Sequence, residues 1–353
     1  LGVMKRLTYI SLLVLAVSCG KATPATDADA WVNDETQRVP VLFSTSKAES
    51  AKTKAIQYGP ISGSVMNTLD VGVIGVAEKE VDSTPVTWGT DTENTILIDN
   101  RKVTTSATGA ITFSPAIYYP YRNQYAYTFY SYYPYTNAGG EAATLTDGAY
   151  SITYDLGNTD ILWAKSAAED YNGILGFNAA YCRAVKKDNL QSEKFPKLQY
   201  NHLLTALVFR VVGKEESIDN YGVSVTGLQL TNTYTSATLC VADSFGEKTG
   251  VLTGSGNGSI GYADLDVDVT ATEADICTIM AVPAGRYTAD LIVSVGGKSN
   301  LLNLKIGNGS TEYQAGYIYY FTVTVNNPES VTIVETGLTE WKPGTNPTPG
   351  TEI

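Results

Sequence analysis

From residue 39 onward, apolar and polar residues alternate with a period of two through most of the chain. This alternation is typical of half-buried β-strands, and the Gly, Asn, Asp and Pro clusters between the runs are typical of turns. No amphipathic helical pattern extends beyond about ten residues, and the best candidate for a helical or loop insert is 166–185. We predict strands at 39–46, 69–78, 94–100, 110–115, 124–134, 150–156, 198–213, 223–232, 237–243, 276–285, 287–297, 301–307 and 317–327.

The short, evenly spaced strands predict an all-β protein built from β-sandwiches. With 353 residues, the chain is long enough for two domains. The segment 186–197 is polar, charged and without a strand pattern, so we place the domain boundary there. This predicts an N-terminal sandwich over 38–190, a C-terminal sandwich over 196–327, and a final segment and tail over 328–353.

The N-terminal region has the pattern of an export signal. Two basic residues precede the apolar run 7–17, which is shorter than the roughly 20 residues that span a bilayer. The run leads into Ala16-Val17-Ser18-Cys19-Gly20, which resembles a bacterial lipobox. We therefore predict a signal peptide over 1–18 and a lipidated tether over 19–37 that begins at Cys19. The alternative is an ordinary secretory signal with an incidental cysteine.

Charge and cysteine content narrow the class of protein. The net charge is −12, which argues against binding to nucleic acid and to anionic lipid surfaces, because both are negatively charged and bind Lys and Arg side chains. If Cys19 is lipidated, Cys182, Cys240 and Cys277 remain, an odd number. A disulfide between Cys240 and Cys277 stays open as an alternative, but a disulfide framework is excluded.

A glycine motif resembles a nucleotide-binding fingerprint without its surroundings. Gly256, Gly258 and Gly261 have the G-x-G-x-x-G spacing, which binds dinucleotides only between a strand and a helix. Here a strand-like run follows, so we expect a glycine-rich hairpin loop.

Two further candidates for chemistry are interpreted as structural. Asp264, Asp266, Asp268 and Asp275 have the spacing of a calcium loop, but the position that requires glycine is occupied by Val269. The only histidine, His202, lies on the apolar face of a predicted strand and is expected to be a core-edge residue. We predict no catalytic site, no metal site and no cofactor.

The aromatic run 124–134 admits two interpretations. Alternation would place Tyr125, Tyr127 and Phe129 on one face of a strand, and Tyr130 and Tyr132 on the other. The favoured interpretation is a core strand that is covered on both faces. The alternative is an aromatic platform for sugars or peptides.

Several segments, taken in order, resemble the Bacteroidales fimbrillin family, the Mfa-like pilin lipoproteins of type V pili. They are the lipobox at Cys19 and the stretches 39–46, 53–55, 111–135, 159–166, 198–211 and 319–341. Phe113 stands where the family often has tryptophan, a difference that affects packing only. The resemblance covers nearly the whole chain and implies two transthyretin-like β-sandwich domains.

The resemblance also implies an assembly cycle. A lipoprotein precursor is exported to the outer membrane surface, a trypsin-like protease cuts after a basic residue and releases the first strand, and the opened groove accepts an extended segment from another subunit. The expected partners are other copies of the chain or related pilin subunits, the outer membrane through the lipid anchor, and the maturation protease. We expect a structural subunit of a fimbrium at the cell surface. The alternative is a non-polymerising surface lipoprotein, such as an anchor or tip adhesin, that binds glycan or host protein.

Specific residues can be assigned to this cycle. The released strand is 39–46, with Val39, Val41 and Phe43 on one face. Cleavage is expected at Lys54-Ala55, because only a cut after the strand frees it, and the alternative Arg38-Val39 removes the tether alone.

The donor segment is expected within 329–341, where Val331, Ile333 and Leu338 form an apolar series that Trp341 closes. The alternative is that this segment folds back as an edge strand of its own domain.

Overall fold

The computed structural model describes residues 29–44, 69–80, 86, 88, 95–106, 111–122, 124–214, 222–307, 312–327 and 330–340. The protein is all-β, as the alternating pattern predicts. A 3-10 turn covers Ala30–Val32, and two short helices are α1 (Ala179–Lys187) and α2 (Gln191–Lys194). The strands are β1 (Asp70–Glu80), β2 (Ile96–Thr104), β3 (Tyr125–Tyr133), β4 (Thr144–Thr146), β5 (Ala149–Asp155), β6 (Leu162–Ser166), β7 (Tyr200–His202), β8 (Thr205–Gly213), β9 (Val223–Thr233), β10 (Ser236–Asp243), β11 (Leu252–Ser255), β12 (Gly258–Tyr262), β13 (Val267–Asp268), β14 (Ala274–Ala281), β15 (Tyr287–Val295), β16 (Lys298–Ile306), β17 (Tyr317–Asn327) and β18 (Ser330–Glu340).

These strands form two pairs of sheets around two hydrophobic cores. The first core lies between the sheet β2-β1-β3-β6-β7 and the sheet β11-β10-β5-β4. The second lies between the sheet β12-β9-β15-β16, on which β13 also pairs with β9, and the sheet β14-β8-β17-β18. Pairing is antiparallel except between β8 and β17, which run parallel. β17 therefore lies between a parallel and an antiparallel neighbour in the second pair of sheets.

Strand β3 is covered on both faces, which confirms the core interpretation of the aromatic run. Every residue from Tyr125 to Tyr132 is buried. On one face the ring of Phe129 lies 5.8 Å from that of Phe177, and on the other the ring of Tyr130 lies 6.3 Å from that of Trp163. No face of β3 is left open as a platform.

The hairpin β10–β11 departs from the predicted domain boundary. Its strand β10 pairs with β5 in the first pair of sheets, with Leu239 opposite Ile152, although residues 236–255 were assigned to the C-terminal unit. Strand β7 likewise pairs with β6 of the first pair. These pairings are non-local, and the apolar pattern of a strand does not specify which sheet it joins. The domain limits as a whole remain a prediction.

The glycine motif is a crossover between sheets, so the expected hairpin loop was wrong. Strand β11 pairs with β10, whereas β12 pairs with β9 in the other pair of sheets. Gly256 between them has φ +70°, a left-handed conformation that favours glycine. Gly258 and Gly261 lie in strand β12 and no helix follows, so the dinucleotide fingerprint lacks its context.

The predicted strandless segment 186–197 is confirmed, and it holds the end of α1 and all of α2. Helix α1 begins after Asn178, whose side chain accepts a hydrogen bond from the backbone N–H of Tyr181 at 2.9 Å. Among the described residues, no helix is long and apolar enough to cross a membrane.

Candidate strand-exchange site

The first described segment, 29–44, lies across the first core. Val41 donates a backbone hydrogen bond to the oxygen of Ile117 at 2.8 Å, and Tyr119 donates one to the oxygen of Val39 at 2.9 Å. Together they form one antiparallel bridge between Pro40 and Tyr118. The predicted strand 39–46 is therefore paired through one β-bridge at its start, and at the other end of the described segment Ser44 donates a backbone hydrogen bond to the oxygen of Pro196 at 2.9 Å. Residues 45 and 46 lie outside the described part.

The apolar side chains of this segment fill the first core. Val39 and Val41 are buried, with 1% and 5% of their surface exposed. The ring of Phe43 lies 5.2 Å from that of Phe129 in β3 and 6.0 Å from that of Phe113. The three predicted positions therefore enter one apolar site, and Phe113 belongs to its wall.

Helix α1 holds the part of the segment that precedes Val39. Arg183 donates from Nε to the backbone oxygen of Trp31 at 2.9 Å, and from Nη2 to the oxygens of Gln37 at 2.6 Å and Glu35 at 3.4 Å. All three acceptors are backbone oxygens, so these hydrogen bonds do not depend on the side chains of residues 31, 35 and 37. Sequence analysis missed Arg183, because a basic residue in a short helix carries no signal of a contact made far along the chain.

The alternative cleavage position is open to solvent. Arg38 is exposed, and its guanidinium carbon lies 4.7 Å from the ring centre of Tyr118. Its neighbour Val39 is buried. The favoured position, Lys54-Ala55, and the predicted lipidation residue, Cys19, lie outside the described residues.

The predicted donor segment forms the edge strand β18 in this chain. It pairs with β17 along its length, so the single subunit has the alternative arrangement, an edge strand of its own sheet. Leu338 lies opposite Tyr319, and Ile333 lies opposite Val323. A shift in register near Glu335 keeps Leu338 on the same, core-facing side as Ile333 and Val331. Trp341 lies outside the described residues.

The apolar face of β18 is only partly used in this position. Val331 and Ile333 are half-buried, and Leu338 remains 48% exposed. Beside them a groove of about 590 Å3 opens between β16, β17 and β18, lined in part by Tyr313, Tyr319, Phe321, Ile333 and Leu338. An edge strand with unused apolar side chains is suited to a second pairing.

One carboxylate lies in this groove among the aromatic rings. The hydroxyl of Tyr313 donates to Oε2 of Glu335 at 3.3 Å. Burial, and then the charge of Glu335, raise the pKa of Tyr313, so the phenol keeps its proton at neutral pH. The face of β18 is therefore apolar at both ends and polar at its centre.

The other candidate chemistry is structural in the described part of the chain. Nδ1 of His202 lies 2.6 Å from a carboxylate oxygen of Asp160, and both side chains are buried. Cys182, Cys240 and Cys277 are free thiols, so the disulfide left open between Cys240 and Cys277 does not form. The described residues contain no group of three or more His, Cys, Asp or Glu side chains that could hold a metal ion.

Two solved structures are similar to this chain. The chain resembles a candidate cell adhesion protein from Bacteroides uniformis, with a TM-score of 0.51 and 19% identity over 88% of this chain and 100% of that one. It is also similar to a fimbrial protein from Bacteroides vulgatus, with a TM-score of 0.46 and 14% identity over 77% and 93% of the two chains. At these identities the likeness concerns the fold alone. No curated protein matches the chain.

The paired sheets define the class of an all-β sandwich protein. A model of the fimbrillin-like family matches residues 79–341, and the chain belongs to that family. It is thus a non-enzymatic, fimbrillin-like protein of the cell surface.

Proposed function

We propose that this chain is a pilus subunit that polymerises by protease-triggered donor-strand exchange. In this proposal, proteolysis frees the segment that contains Val39, Val41 and Phe43, and the vacated site accepts β18 from another copy or from a related subunit. The observation that carries the proposal is the insertion of residues 39–44 into the first core with only one β-bridge and one further backbone hydrogen bond, from Ser44 to Pro196.

The energetics favour a removable segment. Three apolar side chains at about 1.5–3 kcal/mol each give about 5–9 kcal/mol of gross burial energy. The bridge to residues 117–119 and the bond from the Ser44 N–H to the Pro196 oxygen add three backbone hydrogen bonds, worth about 1 kcal/mol each. Covalent attachment keeps this segment in place, and once cleaved it must compete with any strand that offers more hydrogen bonds and equal apolar area.

Strand β18 is a suitable competitor. It has eleven residues, and Val331, Ile333 and Leu338 share one face. Transfer to the vacated site would bury the side chains that β18 leaves partly exposed in its own sheet, and it would pair backbone groups at an open edge. Trp341 would add a large apolar anchor at the end of the segment.

The N-terminal signal supports the route to the surface. Lipidation of Cys19 would hold the precursor at the outer membrane, and the tether would extend from it. Cleavage at Lys54-Ala55 would then separate the subunit from its anchor together with the first strand. Cleavage at Arg38-Val39 would leave the strand in place.

N-terminal sequencing of the subunit in surface-purified polymers tests the proposal. The expected first residue is Ala55. A first residue of Val39 would mean that the first strand stays, which contradicts release of the strand. A first residue at or before Gln37 would contradict maturation at either site.

A further inference from the structure

An open pocket of about 480 Å3 lies where three loops meet on the second pair of sheets. The loops are the β9–β10 turn, the β11–β12 crossover and the β14–β15 loop, which contribute Tyr234, Asn257 and Arg286 respectively. The volume is within the range of about 300–1,000 Å3 of small-molecule sites. The pocket shares no residue with the strand-exchange site, so assembly does not account for it.

Tyr234 forms an aromatic wall that is held in one orientation. A Cβ on Gly254 would lie 2.4, 2.6 and 2.8 Å from three adjacent ring atoms of Tyr234, so the face of the ring rests directly on the Gly254 backbone. Only glycine permits this approach. The residue is still 48% exposed. A fixed, exposed tyrosine ring is suited to packing against the C–H face of a sugar, because the ring face carries the negative end of its quadrupole.

Arg286 supplies the charge of the pocket. It is the one charged side chain among the lining residues, it is exposed, and it forms no ion pair within the described part of the chain. A guanidinium binds carboxylates in a planar, two-bond geometry. In a chain of net charge −12, such an unpaired cation marks a local site for an anion.

Short polar side chains complete the lining. Asn232 and Asn257 lie at the turn and at the crossover, and Asn232 has φ +52°, a left-handed conformation that asparagine adopts more readily than most residues. Thr231 and Thr288 lie on the adjacent strands β9 and β15, with their hydroxyl oxygens 3.1 Å apart. Amides and hydroxyls of this kind both donate and accept, as sugar hydroxyls require.

We propose that this pocket binds a saccharide that carries a carboxylate. The sugar ring packs on Tyr234, its carboxylate pairs with Arg286, and its hydroxyls bond to Asn232 and Asn257. This activity goes beyond assembly of the fimbrium, since it requires neither cleavage nor a second subunit.

Saturation-transfer NMR and calorimetry on the full chain, with methyl glucuronoside as the probe and methyl glucoside as the neutral reference, test the assignment. We expect saturable binding of the acidic sugar and at least about tenfold weaker binding of the neutral one. Arg286→Gln should weaken binding of the acidic sugar at least about tenfold and leave the neutral sugar unchanged, whereas Tyr234→Ala should weaken both.

Matched controls are available in the loop before β3, outside the pocket. Tyr121 is 65% exposed and Arg122 is exposed, so Tyr121→Ala and Arg122→Gln should leave binding unchanged. Circular dichroism confirms that each variant folds. Absence of saturable binding to the acidic sugar, equal affinity for both sugars, or unchanged affinity in Arg286→Gln would overturn the proposal. Polymer formation is measured separately and should be normal in Arg286→Gln and Tyr234→Ala, so failure here leaves strand exchange untouched.

Discussion

Arg183 of helix α1 donates a hydrogen bond from Nε to the backbone oxygen of Trp31 at 2.9 Å, across more than 150 residues of sequence. The same guanidinium reaches the oxygens of Glu35 and Gln37. One side chain thus connects the helix to the segment that precedes residues 39–44. We interpret Arg183 as the residue that keeps this segment closed before proteolysis.

The first prediction concerns the hydrogen bonds from Arg183 to the backbone of residues 31, 35 and 37. Arg183→Ala should weaken the closed state of residues 29–41 by about 1–3 kcal/mol, because hydrogen bonds from a charged donor are lost. Hydrogen exchange should then accelerate in residues 31–41 and trypsin should cut faster at Arg38, while the global melting temperature changes little. Arg183→Lys keeps the charge with fewer donors and should be intermediate. Unchanged exchange in Arg183→Ala would show that the contacts do not hold the segment.

The second prediction concerns β18. A chain that ends after Asn327 should remain folded and lose about 2–4 kcal/mol of stability, because the half-buried Val331 and Ile333 are removed. It should form no ladder on unboiled gels. A chain that ends after Trp341 keeps the whole candidate donor and should polymerise normally. If the Asn327 truncation is unfolded by circular dichroism, β18 is an obligatory edge strand, and if it still forms a ladder, the donor lies elsewhere.

The sequence pattern predicted the strands far better than their partners. Alternation predicted β3 and its burial on both faces, because aromatic residues such as Tyr127 and Tyr130 occupy both faces of this segment. It did not reveal that β10 pairs with β5, because the pairing of Leu239 with Ile152 is a long-range contact that no local pattern encodes. The expected hairpin loop at Gly256 was wrong because the flanking strands β11 and β12 were not among the predicted strands, and no local pattern reveals that they belong to different sheets.

For the candidate strand-exchange site, the sequence likewise predicted the apolar positions but not the long-range contacts. Val39, Val41 and Phe43 follow from period-two alternation, and the structure brings all three into the first core. Leu338 lies on the face of Ile333 only because the register shifts near Glu335, which spacing alone does not reveal. The contacts of Arg183 depend on the fold of the complete chain and could not be predicted.

The third prediction concerns alkaline pH. Burial raises the pKa of Tyr132 to about 12, against about 10 for an unfolded tyrosine. The folded state therefore holds this proton more tightly, so its contribution is constant below about pH 10 and is lost as the pH rises from about 10 to 12, by up to about 2 kcal/mol. Denaturant titrations at pH 9 to 12 should show this decline, and absorbance at 295 nm should show late-titrating phenols. Tyr132→Phe should have a shallower decline. Complete phenol titration near pH 10 in folded protein would contradict the assignment.

The fourth prediction concerns the lipid anchor. Cells grown with labelled palmitate should label the wild-type precursor at Cys19, and Cys19→Ala should carry no label because the acceptor thiol is missing. The other three cysteines serve as an internal control, since they remain in the variant. Equal label in both proteins would refute lipidation at this position.

The central claim is that residues 39–44 must leave their site before a subunit can polymerise. Pro40 and Tyr118 form the bridge between the two segments, and the hydrogen bonds lie on either side of this pair. Such non-hydrogen-bonded pairs have Cα atoms about 4.5 Å apart, which a disulfide can span. The double variant Pro40→Cys/Tyr118→Cys can therefore lock the segment reversibly.

The most direct measurement is ladder formation by this variant after protease treatment, with and without reductant. The account predicts that the oxidised protein is cut after Lys54 but stays monomeric, and that dithiothreitol restores the ladder to the level of the single variant Pro40→Cys. An oxidised, locked and cleaved protein that still forms the full ladder would contradict the account.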